Sequence, residues 1–143
     1  MLELYEALLN SGIALAGANC AKPEDRRGRD GILTAEEASQ LDLEGTRLVF
    51  LSACETGLGL PWTGEGLMGL RRAFLEAGAQ SLVTSLWKLQ DEDARRLACA
   101  FYEQLESMDP ARALAEAKLR ALRGELGLSD PYAWASFILV GRP

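Results

Sequence analysis

The stretch LVFLSACETG, residues 48–57, decides the fold of this chain. Its first five residues, Leu48–Ser52, form an apolar run rich in strand formers. Such runs are typical of strands buried on both faces of a parallel sheet. A glycine-rich loop, Gly57–Gly66, follows closely and is predicted to lead into a helix. The stretch therefore predicts a strand-loop-helix unit of an α/β protein.

The rest of the chain continues this alternation of apolar strands and amphipathic helices. Strands alternating with helices predict an α/β fold with a mostly parallel sheet, helices on its faces and one domain over residues 1–143. The further strands are predicted over Ser11–Ala18, Ser81–Trp87 and Trp134–Val140. The helix signals are a capping box of Thr34 with Glu37, a stop at Gly78, an acidic start at Asp91, and an N-cap Asp109 before Pro110.

Composition excludes several classes of function. The chain has 143 residues, of which 48% are hydrophobic and 25% charged, a profile typical of a globular protein. Its net charge is −6, and the sequence has no block of basic residues of the kind that binds nucleic acid. No apolar run approaches the roughly 18 residues of a membrane span. Three cysteines at unpaired spacing suggest neither a disulfide framework nor a zinc site. We expect a cytoplasmic protein with no cofactor, metal, nucleic acid or membrane as partner.

Cys54 stands where the apolar strand stops and the glycine-rich loop begins. Ligands of open parallel sheets bind beyond the carboxyl ends of the strands, so a thiol there is well placed to act as a nucleophile. From position alone a structural role is the more common one for such a cysteine, because free cysteine is among the most buried residue types.

The segment from Leu48 to Trp87 also resembles the CHAT domain, a caspase-like cysteine peptidase domain usually found downstream of tetratricopeptide repeats. The resemblance is carried by S-A-C-E-T-G, G-E-G and S-L-W, and by the flanking segments Ala14–Asn19, Asp30–Glu37 and Pro131–Gly141. It implies a caspase-like three-layer α-β-α sandwich and a protein or peptide substrate. It makes Cys54 the nucleophile, with its backbone N–H as an oxyanion donor.

The histidine that this family uses as general base has no counterpart here, because the sequence contains no histidine. In caspases that histidine lies roughly 50 residues before the cysteine, which would fall at the first residues of this chain. We therefore expect the carboxyl-terminal part of a CHAT domain that is inactive by itself. A base contributes about 10²–10⁴-fold to the rate.

The same comparison predicts a sheet that is incomplete on its amino-terminal side. A strand edge left unpaired is a template for another chain. The alternative function is therefore a non-catalytic interaction module. It would self-associate or bind an upstream half-domain or tetratricopeptide-repeat partner.

Further side chains are candidates for binding the substrate. They follow the predicted strands or flank the expected crevice: Glu55, Gly57, Glu65, Trp87 and Asp91. Asp91 would favour a basic substrate side chain, although a helix N-cap explains it more simply. The tryptophans Trp62, Trp87 and Trp134 are interpreted mainly as packing residues, with Trp62 the best exception.

Two features are interpreted as incidental. Gly64–Gly69 matches G-x-G-x-x-G, but ten positions separate it from Cys54, whereas a dinucleotide fingerprint follows its strand at once. Cys20 and Cys99 are given no role, and the apolar stripe of its helix is expected to hide Cys99.

Overall fold

The computed structural model describes residues 11–16, 18, 31–52, 65–128 and 130–142. The chain divides into two compact units. Unit 1 comprises Met1–Thr46 and Glu55–Ala79, and unit 2 comprises Arg47–Cys54 and Gln80–Pro143. Both units mix helices with strands, so the predicted α/β class is confirmed at this level.

Unit 1 begins with two short strands, β1 (Gly12–Ala14) and β2 (Ile32–Thr34), which pair antiparallel. Helix α1 (Ala35–Ser39) follows directly behind Thr34, whose hydroxyl accepts a hydrogen bond from the Glu37 N–H at 3.2 Å. The Glu37 carboxylate in turn accepts from the Thr34 N–H at 2.9 Å. The capping box predicted from the sequence is confirmed, and it ties the end of β2 to the start of α1.

Helix α2 (Glu65–Glu76) packs against α1. Its carboxyl end has two characteristic bonds: the Gly78 N–H donates to the Leu75 carbonyl at 3.2 Å, and the Ala79 N–H to the Phe74 carbonyl at 3.2 Å. This is the Schellman pattern, which requires positive φ at the residue after the cap. Gly78 has φ of +110°, so the predicted helix stop is confirmed.

Unit 2 is built on a three-stranded sheet with the order β3-β4-β5. Strand β3 (Val49–Leu51) runs parallel to β4 (Ser81–Ser85), with Phe50 beside Val83. Strand β5 (Phe137–Gly141) runs antiparallel to β4, with Leu139 beside Val83. The described sheet of unit 2 is therefore mixed, whereas the sequence had predicted a mostly parallel sheet.

The number of helices between the strands explains the direction of β5. Between β4 and β5 the chain forms two long helices, α3 (Asp91–Leu105) and α4 (Pro110–Leu122), which pack together across a short connection. Two helices so joined run antiparallel, and the chain returns to the end of the sheet where it left β4. Strand β5 must then run against β4.

The core of unit 2 lies between one face of the sheet and these helices. Phe101 and Phe137 are the largest of its fully buried side chains. Strand β4 is buried along its whole length. All three residues of β3 are only half-buried, so the interpretation of Leu48–Ser52 as a strand buried on both faces was wrong. The described residues of this core are Val83, Leu89, Ala94, Leu97, Ala100, Phe101, Ala113, Leu114, Ala117, Ala121, Leu128, Ala133 and Phe137.

The boundaries of the last strand were predicted wrongly. The segment predicted as a strand from Trp134 begins instead with a short helix, α5 (Pro131–Trp134), and β5 starts at Phe137. Asp130 is the N-cap of α5, and its carboxylate accepts from the Tyr132 N–H at 2.9 Å. An N-cap followed by proline at the first helical position favours a helix. This local signal decides the conformation of Trp134, although Trp134 also begins the apolar run that predicted a strand.

Among the described residues, the helices are too short or too polar to cross a lipid bilayer. Of the predicted glycine-rich loop, Glu65 and Gly66 begin α2, and the rest lies outside the described residues.

Candidate functional site

The structure describes only part of the predicted substrate-binding set. Cys54, Glu55 and Gly57 lie outside the described residues. Glu65 is the first residue of α2, and its side chain also lies outside the description. Trp87 and Asp91 are described, and both follow strand β4 in unit 2. Those roles therefore stay predictions, and the end of β4 is the part of the site whose geometry is described.

Trp87 is held by the short helix α5. Its indole N–H donates a hydrogen bond to the Tyr132 carbonyl at 2.8 Å, and the two aromatic rings lie 5.3 Å apart at 32°. The side chain is half-buried and packs against the core of unit 2. Trp87 therefore holds Tyr132 in place through its hydrogen bond and its ring contact. Trp134 packs against the same core. Trp62 lies outside the described residues.

Asp91 is the first residue of α3 and is exposed to solvent. The N-cap is Gln90, whose side chain makes no capping hydrogen bond, so the interpretation of Asp91 itself as N-cap was wrong. Together with Glu92 and Asp93, Asp91 places negative charge in the first turn of the helix. Carboxylates there are stabilised by the partial positive charge of the helix amino terminus.

Glu92 is engaged by two arginines of its own helix. Its carboxylate accepts from Arg95 at 2.8 and 2.9 Å and from Arg96 at 2.9 Å. These hydrogen bonds lower the pKa of Glu92 to about 2 and raise the pKa of Arg95. Glu92 is therefore ionised at neutral pH, and its carboxylate is bound by Arg95 and Arg96 of the same helix.

A cavity of about 390 Å³ opens at the carboxyl end of β4. Its apolar part is supplied by Leu89 and Ala133, both buried, and by Tyr132, which is 55% exposed. Its charged part combines the carboxylates of Asp93 and Asp130 with the ammonium group of Lys88. Gln90 completes the set of lining residues. A cavity with this lining can accommodate a side chain that has an aliphatic stem and a polar head.

Sequence reasoning located the segment after β4 but missed the opposite wall of the cavity. Asp130 and Tyr132 were assigned to no site, because the segment was interpreted as the approach to a strand. The signal was available: Asp130-Pro131 repeats the Asp109-Pro110 pattern that was correctly interpreted as a helix start. Recognising it would have predicted a helix beginning opposite the end of β4.

Cys99 does not match its prediction. The thiol was expected to be hidden by the apolar stripe of α3, but it is exposed. It lies one helical turn after Arg95. Cys20 lies outside the described residues. Within the described part of the chain, His, Cys, Asp and Glu form no group of three or more that could hold a metal ion.

Comparison with known proteins adds the family context. The family model "CHAT domain" matches residues 3–142 of this chain. Tetratricopeptide repeat protein 28 of Mus musculus is 34% identical over 114 residues, which cover 79% of this chain and 4% of the relative. The protein of the same name from Homo sapiens is 33% identical over 111 residues, which cover 77% of this chain and 4% of the relative.

The match therefore spans about one twenty-fifth of the length of each of these relatives. A search of solved structures gave no significant match.

Proposed function

The chain belongs to the CHAT domain family, and on that premise we propose that these 143 residues carry the nucleophile of a caspase-like cysteine endopeptidase domain. Cys54 is the proposed nucleophile. It would attack a peptide carbonyl, form a thioester and release the amine of the cleaved bond. The proposed complete fold is a three-layer α-β-α sandwich, and the proposed place of action is the cytoplasm, where thiols stay reduced.

One observation carries this proposal: β3 and β4 are neighbouring parallel strands. The carboxyl ends of parallel neighbours lie at the same edge of a sheet. Cys54 follows the last residue of β3 by three positions, and the cavity of about 390 Å³ lies at the end of β4. From this strand order we infer that a nucleophile carried by the segment after β3 would emerge at the same edge of the sheet as the cavity, which is the arrangement that a peptidase needs.

The substrate-binding roles follow from the same edge. Asp91 and Trp87 belong to the segment after β4, and we propose that Trp87 acts through Tyr132, whose ring it supports. Glu55, Gly57 and Glu65 are proposed to bind the substrate from the side of the cysteine motif. The Cys54 backbone N–H is the proposed oxyanion donor, an interaction worth about 10²–10³ in rate.

We further propose that a polypeptide of these 143 residues does not turn over peptides by itself. The sequence contains no histidine, so no imidazole is present to take the thiol proton. A free cysteine with pKa about 8.5 is only a few per cent thiolate at neutral pH. A second polypeptide, such as a segment linked to tetratricopeptide repeats, would have to supply the base.

The test combines turnover with thiol reactivity. Because Cys99 is exposed, both measurements use a variant with Cys20→Ser and Cys99→Ser, in which Cys54 is the remaining thiol. We expect no Cys54-dependent cleavage of a fluorogenic peptide library. We also expect iodoacetamide alkylation to rise with pH as for an ordinary thiol of pKa about 8.5. Cys54→Ala in the same background is the control.

Peptide cleavage at ordinary enzymatic rates by the purified chain would contradict the absence of an internal base. Slow cleavage that requires both Cys54 and added imidazole would support the proposal, since free imidazole replaces the missing side chain.

A second candidate function is a non-catalytic interaction module. It is favoured by the sheet of unit 2, in which β3 pairs with β4 and with no other described strand. This function predicts that Cys54→Ala leaves association unchanged. Sedimentation of the wild-type chain and of this variant tests it, and loss of association in Cys54→Ala would contradict it.

A further inference from the structure

The cavity at the carboxyl end of β4 carries an uneven set of charges. Its described lining holds two carboxylates, Asp93 and Asp130, and one ammonium group, Lys88, so negative charge is in excess at neutral pH. Lys88 is exposed to solvent, whereas Asp93 is half-buried. Water screens an exposed charge more strongly than a half-buried one. The cavity therefore favours a positively charged group.

The two carboxylates come from different helices and are both held in place. Asp93 lies in the first turn of α3, which the buried Ala94 and Leu97 anchor in the core of unit 2. Asp130 is the N-cap of α5, and its carboxylate accepts a hydrogen bond from the Tyr132 N–H at 2.9 Å. Groups fixed before the ligand arrives lose little conformational freedom when they bind it.

The uncharged part of the lining suits one kind of cation best. The Tyr132 ring is 55% exposed and is held by Trp87, whose ring lies 5.3 Å away. A planar guanidinium group can stack on such a ring and form paired hydrogen bonds with a carboxylate, whereas an ammonium group is a point charge. Leu89 and Ala133 are buried and offer apolar contact to an aliphatic stem.

We propose that this cavity binds the arginine side chain of a peptide substrate, with Asp93 as the residue that determines the specificity. This inference rests on the proposed peptidase function and names its substrate class, peptides that contain arginine. Its volume of about 390 Å³ lies near the lower end of the range for ligand pockets, roughly 300–1,000 Å³, and suits a single side chain.

The structure moves the preference for a basic side chain from Asp91 to Asp93. Sequence analysis had assigned that preference to Asp91, but Asp91 is exposed and is not among the described lining residues. Asp93, two positions later on the same helix, lines the cavity. Asp91 can then act on a bound cation only through its charge at a distance.

NMR titration of the full 143-residue chain tests the proposal with two small probes. Nα-acetyl-arginine methylamide carries the guanidinium group, and Nα-acetyl-citrulline methylamide has nearly the same shape without the charge. We expect the arginine probe to shift the amide signals of Leu89, Asp93, Tyr132 and Ala133. It should bind at least about tenfold more tightly than the citrulline probe, since a charge-assisted hydrogen bond is lost in the latter.

Four variants assign the effect to the cavity. Asp93→Asn should raise the dissociation constant of the arginine probe about tenfold, because it removes the half-buried carboxylate. Asp91→Asn removes the same charge from the same helical turn and should raise it by no more than about twofold. Lys88→Met should lower it, since the competing ammonium group is gone. Glu106→Gln, at the far end of α3 and exposed, is the control and should leave it unchanged.

Several results would overturn the proposal: no shift of the cavity amides, equal affinity for both probes, equal effects of Asp91→Asn and Asp93→Asn, or weaker arginine binding in Lys88→Met. Amide signals outside the cavity that stay in place in each variant show that the fold is kept. Failure here is distinct from failure of the peptidase function. Cys54-dependent cleavage in added imidazole without a preference for arginine would refute the arginine site alone, whereas arginine binding at Asp93 without any such cleavage would refute the peptidase function alone.

Discussion

Unit 1 and unit 2 bury different kinds of side chain. The described hydrophobic core of unit 1 contains five alanines, Leu70 and Phe74, and its helices α1 and α2 pack together. The core of unit 2 contains six alanines too, but it adds Phe101, Phe137 and four leucines. Small side chains allow helix backbones to approach closely, whereas large ones fill the volume between layers. Unit 1 should therefore be most sensitive to added atoms, and unit 2 to removed atoms.

The largest effect is expected from truncation in unit 2. Phe101→Ala removes a fully buried ring that contacts Phe50, and should lower the free energy of unfolding by about 3–5 kcal/mol. The neighbouring Tyr102→Ala is the control, because its ring is half exposed and should cost about 1 kcal/mol or less. Urea unfolding measures both. Equal losses for the two variants would show that unit 2 is not held by its buried core.

The next effect is expected from one added methyl group in unit 1. A Cβ at Gly78 would lie 2.8 Å from the Glu44 backbone nitrogen, and the residue has φ of +110°. Gly78→Ala should therefore cost about 2–4 kcal/mol, from backbone strain and from steric overlap together.

Gly45→Ala separates these two causes. Gly45 has φ of +82°, but its Cβ would meet no atom within 4 Å. It should lose only the strain, about 1–2 kcal/mol. Thermal unfolding of the two variants measures the difference. If Gly45→Ala is as damaging as Gly78→Ala, close approach of the backbone is not what makes unit 1 sensitive.

A smaller effect is expected where unit 1 depends on a local cap. Thr34→Ala removes the hydroxyl that accepts from the Glu37 N–H and should cost about 1 kcal/mol. Thr34→Ser keeps the acceptor and is the control. Chemical denaturation compares the two, and equal stability of both variants would mean that the end of β2 is held by its neighbours alone.

Features with a local cause were predictable from the sequence. Thr34 with Glu37, Gly78 and Asp109-Pro110 each act within a few residues of chain, and the structure has them as predicted. The direction of β5 depends on two consecutive helices packing as a pair. Both helix starts were predicted, but the chain was interpreted as a simple alternation of strands and helices, and the consequence of the helix pair for β5 was missed.

The candidate site shows the same division. The segment after β4 was identified because strand ends are local features, and Trp87 lies there. The contact of Trp87 with Tyr132 joins residues 45 positions apart and had no sequence signal of its own. Likewise, the exposure of Cys99 depends on which side of α3 meets the core. The apolar stripe of α3 did not show whether Cys99, a small residue, lies on the buried or on the exposed side.

The smallest effect concerns charge on the surface of unit 2, outside its core. The pKa of Glu92 is lowered to about 2 by hydrogen bonds from Arg95 and Arg96. A depressed pKa contributes stability above the unfolded value, and that contribution is lost as the pH falls from about 4.5 towards 2. Carboxyl NMR titration should place the Glu92 midpoint in that lower range.

Removing both arginines, as Arg95→Gln with Arg96→Gln, should return the midpoint towards that of an ordinary glutamate, near 4.3. Because Glu92 is solvent-exposed, the stability of the whole chain should hardly change, and salt should weaken the shift. A large loss of unfolding free energy in this double variant would show that unit 2 relies on a surface ion pair as well as on its aromatic core. The contrast between the two units would then have to include surface ion pairs, in addition to the size of the buried side chains.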